Sequence, residues 1–254
     1  TLYIRPFIRK TISISGAVNS PGTYQISSND SLSSLIIKAD GYKENAYPFG
    51  GILNNIDALE KNQLSVDILY NSFVKQLINK SSTLFQSENL PFILNQLKTT
   101  NVNGRIIAEF DLDVIEANPE LDTALSDGDD IFIPSLTQQV YVFGELNNPG
   151  AVRYKPSQSI DEYLLQAGGK LISADSKNIF VAHPNGEITL LNTNNLFLRK
   201  KGEILIYPGS VIYVPQLVKS ADASVIASIW APIVSSMATS ITALSILNKN
   251  ECHL

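Results

Sequence analysis

The chain has 254 residues, 44% of them apolar and 8% aromatic, enough for one large or two modest domains and too much for global disorder. A net charge of -5 with no basic patch argues against nucleic acid as a partner. The single cysteine, Cys252, can form no internal disulfide and belongs to no metal-ligand pattern, so no metal or other cofactor is expected.

Residues 1–11 form a lead in which Leu2-Tyr3-Ile4 reads as a strand and Arg5, Arg9 and Lys10 as a solvated basic edge. A chain that starts this way is expected to be a mature or truncated product without its targeting segment. From Ile12 a unit begins that returns at Val140. Apolar residues alternate (Ile12, Ile14; Val140, Val142) up to a glycine (Gly16; Gly144), and a turn then ends in Pro21-Gly22 or Pro149-Gly150. A second short run follows (Thr23 to Ile26; Ala151 to Tyr154), then an apolar stripe at helical spacing: Leu32, Leu35, Ile36, Ala39 in one copy and Ile160, Tyr163, Leu164, Ala167 in the other. Both stripes stop at a glycine, Gly41 or Gly169, and every matched pair carries the same register shift without a gap. Period-2 runs joined by a turn predict a hairpin, and a stripe at i, i+3, i+4 and i+7 predicts a helix with one buried face lying across it. Ser159 and Glu162 form a capping box at the start of the second helix.

Between Tyr42 and Leu53 the first copy is rich in tyrosine and glycine. Tyr42, Tyr47 and Phe49 are candidates for stacking on sugar rings, although a loop that packs its own aromatics is the plainer expectation. From about 54 to 98 apolar residues recur at helical spacing (Ile56, Leu59, Leu64, Ile68, Phe73 and onward), a helical insertion that the second copy lacks. Ser72 and Lys75 match a serine-lysine enzyme pattern without its companion motifs, which is treated as chance.

Ile106 to Leu112 alternates as a strand. The acidic stretch Asp111 to Asp130 lacks the ligand spacing of a calcium loop, so its carboxylates are expected to act locally. Asp127-Gly128-Asp129 then makes a turn before the strand Ile131 to Pro134, as Pro208-Gly209-Ser210 does before Val211 to Pro215. Module one therefore spans 12–134 and module two 135–218. In module two, Asn178 to His183 and Ile188 to Leu191 are strands around the turn Pro184-Asn185-Gly186, and His183, alone beside that turn, is expected to face solvent. No nucleophile, acid-base pair or phosphate-cradling loop emerges, so the chain is not expected to be an enzyme.

The whole stretch from Ala223 to Asn248 is without a charge. As a helix it would span roughly 39 Å, against a bilayer core of about 30 Å. Over 222–248 the faces divide: Ile226, Ile229, Trp230, Ile233, Met237, Ile241 and Leu244 lie on one side, and Ser228, Ser235, Thr239 and Thr242 on the other. A single spanning helix gains nothing from that division. A helix in the wall of a water-filled barrel needs it, with lipid outside and water inside, and only a ring of copies makes such a barrel. The alternative is an amphipathic helix packed on the protein's own core.

The turns Gly16 to Gly22 and Gly144 to Gly150, the helix ends Ala39-Asp40-Gly41 and Ala167-Gly168-Gly169, and the phrases Val142-Phe-Gly-Glu-Leu-Asn-Asn-Pro-Gly150 and Asp127-Gly-Asp-Asp-Ile-Phe-Ile-Pro134 resemble soluble-ligand-binding β-grasp (SLBB) domains. Two such domains before a terminal amphipathic helix resemble the C-terminal part of the Wza-type outer-membrane polysaccharide export proteins. The resemblance implies an α+β fold of two tandem β-grasp-like domains, the first with a helical insertion, followed by a membrane-spanning helix. It also implies an eightfold homo-oligomeric ring, with the SLBB domains in the periplasm of a Gram-negative bacterium and the helices forming a pore through the outer membrane. Capsular polysaccharide or exopolysaccharide would pass through it, delivered by an inner-membrane copolymerase. Ser228, Ser235, Thr239 and Thr242 would then line the pore. Two departures stand out: the typical member's N-terminal export domain and lipidated cysteine are not in this sequence, and the helical insertion is unusual. The competing expectation is a soluble periplasmic module that binds a glycan or small ligand near Tyr42 to Phe49.

Overall fold

The computed structural model describes residues 10–27, 30–78, 103–192, 204–217 and 234. These form a mixed α+β structure with two five-stranded sheets, and the chain divides into two compact units, Thr1–Leu59 with Gly104–Ser135 and Glu60–Asn103 with Leu136–Leu254.

The first sheet is built from β1 (Lys10–Gly16), β2 (Gly22–Ile26), β3 (Ile52–Asn54), β4 (Arg105–Ile106) and β5 (Asp130–Ile133), in the order β2-β1-β5-β3-β4. β1 and β2 make the expected antiparallel hairpin, with Ile12 opposite Tyr24. β1 and β5 run parallel at the sheet centre, with Ile14 beside Ile131. A parallel pair cannot be closed by a tight turn; here the intervening chain includes α1 (Leu32–Lys38), whose Leu32, Leu35 and Ile36 are fully buried with Ile12, Ile14, Ile131 and Ile133. Each of these side chains stabilises the fold by about 1.5–3 kcal/mol through burial.

The second sheet repeats the first. β6 (Gln139–Gly144), β7 (Gly150–Arg153), β8 (Asn178–Ala182), β9 (Ile188–Asn192) and β10 (Val211–Val214) lie in the order β7-β6-β10-β8-β9. The helix that joins their core, α4 (Ile160–Gln166), buries Ile160, Tyr163 and Leu164. The repetition extends to single hydrogen bonds. The Ser20 amide donates to the Ala39 carbonyl at 2.9 Å and the Asn148 amide to the Ala167 carbonyl at 2.9 Å, while Gly41 reaches back to Ile36 at 3.0 Å as Gly169 does to Leu164 at 2.9 Å.

Gly16 and Gly144 end the two central strands at φ +89° and +97°. A Cβ there would stand 2.1 Å from the Ile133 carbonyl oxygen or 2.0 Å from that of Val214. Only glycine lets the next amide, Ala17 or Glu145, donate to that same oxygen, at 2.7 and 2.8 Å.

Between β3 and β4 the chain enters α2 (Ile56–Ile78), the described part of the insertion. Ile56, Leu59, Leu64 and Ile68 are exposed on it, and Val66 is buried. The strand expected over Ile106 to Leu112 is a correction: β4 holds Arg105–Ile106 alone, and α3 (Leu112–Ala117) starts where Asp111 Oδ1 accepts from the amides of Asp113 at 3.0 Å and Val114 at 3.4 Å. Ahead of that helix the Glu109 carboxylate accepts from the amides of Phe110 at 2.9 Å and Asp111 at 2.8 Å, which takes them out of a strand ladder. Among the described residues no helix is long and apolar enough to cross a membrane. The helix expected over 222–248 lies outside the described residues, apart from Val234.

Candidate functional site

Two surfaces among the described residues offer functional chemistry, and the first is the loop from Tyr42 to Phe49. Asn19 and Lys43 tie its start to the hairpin turn: Asn19 Nδ2 donates to the Asp40 carbonyl at 2.7 Å, and the Lys43 amide to the Ala17 carbonyl at 3.0 Å. Tyr42 packs against the first core, and its hydroxyl donates to the Phe110 carbonyl. Burial, then the charges of Asp111 and Glu109, push its phenol above the ordinary range. Tyr42 thus serves its own fold, and its ring is not an open platform. Tyr47 and Phe49 are half-buried, with ring centroids 6.0 Å apart and planes at 57°. The 3-10 turn Pro48–Gly50 sets this pair. Beneath it Gly51 lies so close to the Phe110 ring that a Cβ would meet the ring at 2.4 Å. Arg105 Nη2 donates to the Gly51 carbonyl at 3.2 Å, and burial pulls its guanidinium down to about 10.

The acidic stretch does local work. Asp122 accepts from the Ser33 amide at 3.0 Å and hydroxyl at 2.6 Å, holding the start of α1. Burial raises the Asp122 carboxyl, but hydrogen bonds from Ser33 and Ser31 outweigh it and leave the group below its ordinary value. Asp127 accepts from the Thr11 amide at 2.7 Å, and buried Asp129 from the Ser126 amide and from Asn55 Nδ2, both at 2.7 Å. Ser210 closes the matching turn of module two by accepting from the Tyr207 amide at 3.1 Å. Among the described residues no group of three or more His, Cys, Asp or Glu side chains is placed to hold a metal.

His183 overturns its expectation. It is buried, with Nε2 3.2 Å from Thr189 Oγ1 and the ring edge-on to Tyr207 at 5.7 Å. Burial lowers its proton affinity, against a smaller opposing pull from Glu187. The turn sequence alone could not show that Tyr207, far downstream on the approach to β10, covers it.

The second surface is the corner where the chain leaves module two. The Leu217 amide donates to the Ser173 carbonyl at 2.8 Å, so the exit lies beside the loop after α4. Ile172 in that loop is fully exposed, and Leu171 and Leu217 are each 40% exposed. At the matching positions module one carries Lys43 and Glu44. Sequence reading by apolar period missed this corner, because two adjacent residues make no period; aligning the repeats is the signal that finds it. The residues expected to line the pore, Ser228, Ser235, Thr239 and Thr242, and those expected to face lipid, Ile226, Ile229, Trp230, Ile233, Met237, Ile241 and Leu244, lie outside the described residues.

This geometry, two five-stranded sheets of the same order, is consistent with tandem SLBB domains. The SLBB domain model matches residues 11–51 and 139–191. Both matches start on the strand that opens a module, Thr11 in β1 and Gln139 in β6, at the spacing of the internal repeat. The chain therefore carries SLBB-domain sequence in each repeat, which fits a family of SLBB-containing polysaccharide export proteins. No curated protein matches the chain.

Proposed function

We propose that this chain is a subunit of an outer-membrane polysaccharide export channel. In this reading identical copies stand in a ring, the two β-grasp modules lie on the periplasmic side, and the stretch from Ala223 to Asn248 crosses the outer membrane as one stave of an α-helical barrel. Mechanism is then passage: Ser228, Ser235, Thr239 and Thr242 would offer a moving sugar chain weak, exchangeable hydrogen bonds, while Ile226, Ile229, Trp230, Ile233, Met237, Ile241 and Leu244 face lipid. Tyr47 and Phe49 would touch the glycan at a module surface. An inner-membrane copolymerase would deliver the polymer.

The observation that carries this reading is the apolar corner Leu171–Ile172–Leu217. Exposed apolar residues brought to one corner suit an interaction surface. This one lies where the chain leaves module two, and the long uncharged run begins at Ala223, shortly after Leu217. A corner that meets the lipid interface suits that continuation, and Lys43-Glu44 in module one does not. Flotation of the full chain with lipid vesicles tests it. Wild type is expected to float, chain ended at residue 218 to stay behind, and Leu171→Asp with Ile172→Asp to float several-fold less; a wild-type chain left monomeric in the soluble fraction without detergent would overturn the reading.

A soluble periplasmic ligand-binding module is the second reading, and one observation favours it. Val234, inside the uncharged stretch, is helical and fully buried within a single chain, as it would be if that stretch packed on its own protein. In that case the flotation experiment gives the soluble monomer.

A further inference from the structure

The internal repeat makes each module a control for the other, and one place differs in a way that points to a ligand. Beside α1 in module one, Lys38 Nζ donates to Asp30 Oδ2 at 2.8 Å, and the same oxygen accepts from the Ser27 amide at 2.8 Å. That ion pair ties the turn after the hairpin to the helix. The constant register of the repeat puts Gln158 in the place of Asp30 and Gln166 in the place of Lys38. The carboxylate and ammonium become two neutral amides, and Gln158 Nε2 is buried with no hydrogen-bond partner.

A groove beside α4 has a volume of about 440 Å³ and is lined by Lys155, Ser157, Gln158, Glu162, Leu165 and Gln166, together with Pro156. Its walls are held firmly. Tyr163 is fully buried, and its hydroxyl donates to the Lys155 carbonyl at 3.1 Å while accepting from the Lys155 amide at 3.0 Å. Glu162 Oε2 accepts from the Ser159 amide at 2.8 Å and hydroxyl at 2.9 Å, bonds that hold its carboxyl below the ordinary range. Neither of those bonds uses Oε1. Leu165 is 73% exposed and supplies the only apolar side chain among these six lining residues.

We propose that this cleft is a glycan subsite that takes one uncharged pyranose unit of a polysaccharide. A buried amide donor without an acceptor costs roughly 1–3 kcal/mol, and a turn of the Gln158 side chain toward a ligand oxygen in the groove removes the penalty. The volume falls in the range of small-ligand sites, about 300–1,000 Å³, and admits one sugar ring. A sugar hydroxyl both donates and accepts, so one ring can satisfy Gln158 Nε2, the Gln166 amide and Lys155 as donors and Glu162 Oε1 as acceptor. Its C–H face suits Leu165. Lys155 and Glu162 offset each other in charge, and a carboxylate or phosphate ligand would meet Glu162 unfavourably, which selects a neutral unit. The class of ligand rests on the polysaccharide reading above; the ring and the membrane span are not needed.

Saturation-transfer NMR on the full chain in detergent, with neutral tetrasaccharides of glucose, galactose and N-acetylglucosamine and an oligogalacturonate as probes, tests the assignment. At least one neutral probe is expected to bind in the millimolar range and to outcompete the acidic one. Gln158→Asp with Gln166→Lys, which installs module one's ion pair, is expected to weaken binding at least tenfold with the thermal transition preserved. Gln158→Leu, which removes the orphan donor, is expected to weaken binding likewise while leaving stability unchanged or raised. Transfer to no neutral probe, preference for the acidic probe, or unchanged binding in the double variant would overturn the proposal. Sugar transfer reads this cleft and vesicle flotation reads membrane attachment, so either can fail while the other stands.

Discussion

Modules one and two share a frame and differ in what is mounted on it. Hairpin register and crossing helix recur at a constant spacing, down to paired backbone hydrogen bonds, and the sheet order, parallel central pair and closing turn recur with them. Away from the frame the modules diverge. Module one opens its β3–β4 connection into an insertion beginning with the long helix α2, whereas module two turns between β8 and β9 at Pro184 to Gly186. Where module one has the ion pair Asp30–Lys38 and the charged Lys43-Glu44, module two has Gln158, Gln166 and the apolar Leu171-Ile172. Residues that recur are those whose loss would break the backbone, and residues that differ are those free to acquire a partner. Function is therefore sought in the differences.

The largest test of the shared frame is at its glycines. Gly16→Ala and Gly144→Ala each drive a Cβ into a carbonyl oxygen and are expected to destabilise by on the order of 4 kcal/mol or more, read as urea midpoints. A large loss at one glycine and none at the other would break the equivalence. Next comes Tyr163→Phe, which leaves the Lys155 amide and carbonyl without the hydroxyl and is expected to cost about 1–3 kcal/mol in the same assay. Leu35 stands at that place in module one, so no comparable polar loss exists there.

A smaller effect separates the modules by pH. Burial holds His183 below 6.5, so the unfolded chain takes up its proton first. Its contribution is fully present above pH 6.5 and is lost as pH falls from there through the folded value. His183→Asn, which installs module one's Asn55, is expected to flatten the dependence of Tm on pH between about 7.5 and 5. An unchanged slope would show that His183 titrates normally. The smallest effect is at Lys38→Met. The side-chain bond from Lys38 is the main reason the Asp30 carboxyl sits below 3.8, so its stabilisation is present above that pH and fades as pH falls through the folded value. Both groups lie at the surface and water screens them, so only a marginal change in Tm near neutral pH is expected.

The frame was legible in the sequence because turns and helix stripes are local signals: Pro21-Gly22 and Pro149-Gly150 mark the hairpins, and four apolar residues mark each helix. β3 was not, since so short a run shows no alternation and Ile52–Asn54 becomes a strand by pairing with β5. The strand expected over Ile106 to Leu112 ends at Ile106 although Ile106, Ala108, Phe110 and Leu112 alternate, because the capping role of Asp111 depends on where its carboxylate turns. The cleft in module two leaves no periodic trace either. Only two glutamines at the spacing of an ion pair announce it, and the orphan amide becomes visible in three dimensions.

The proposed conduit is tested most directly by imaging the purified full chain in detergent by electron microscopy. Rings with a central opening are predicted, and in planar bilayers the same preparation should conduct, with conductance reduced when bulky labels are attached to cysteines placed at 228, 235, 239 and 242. A field of solitary particles with no opening and no conductance would contradict the account.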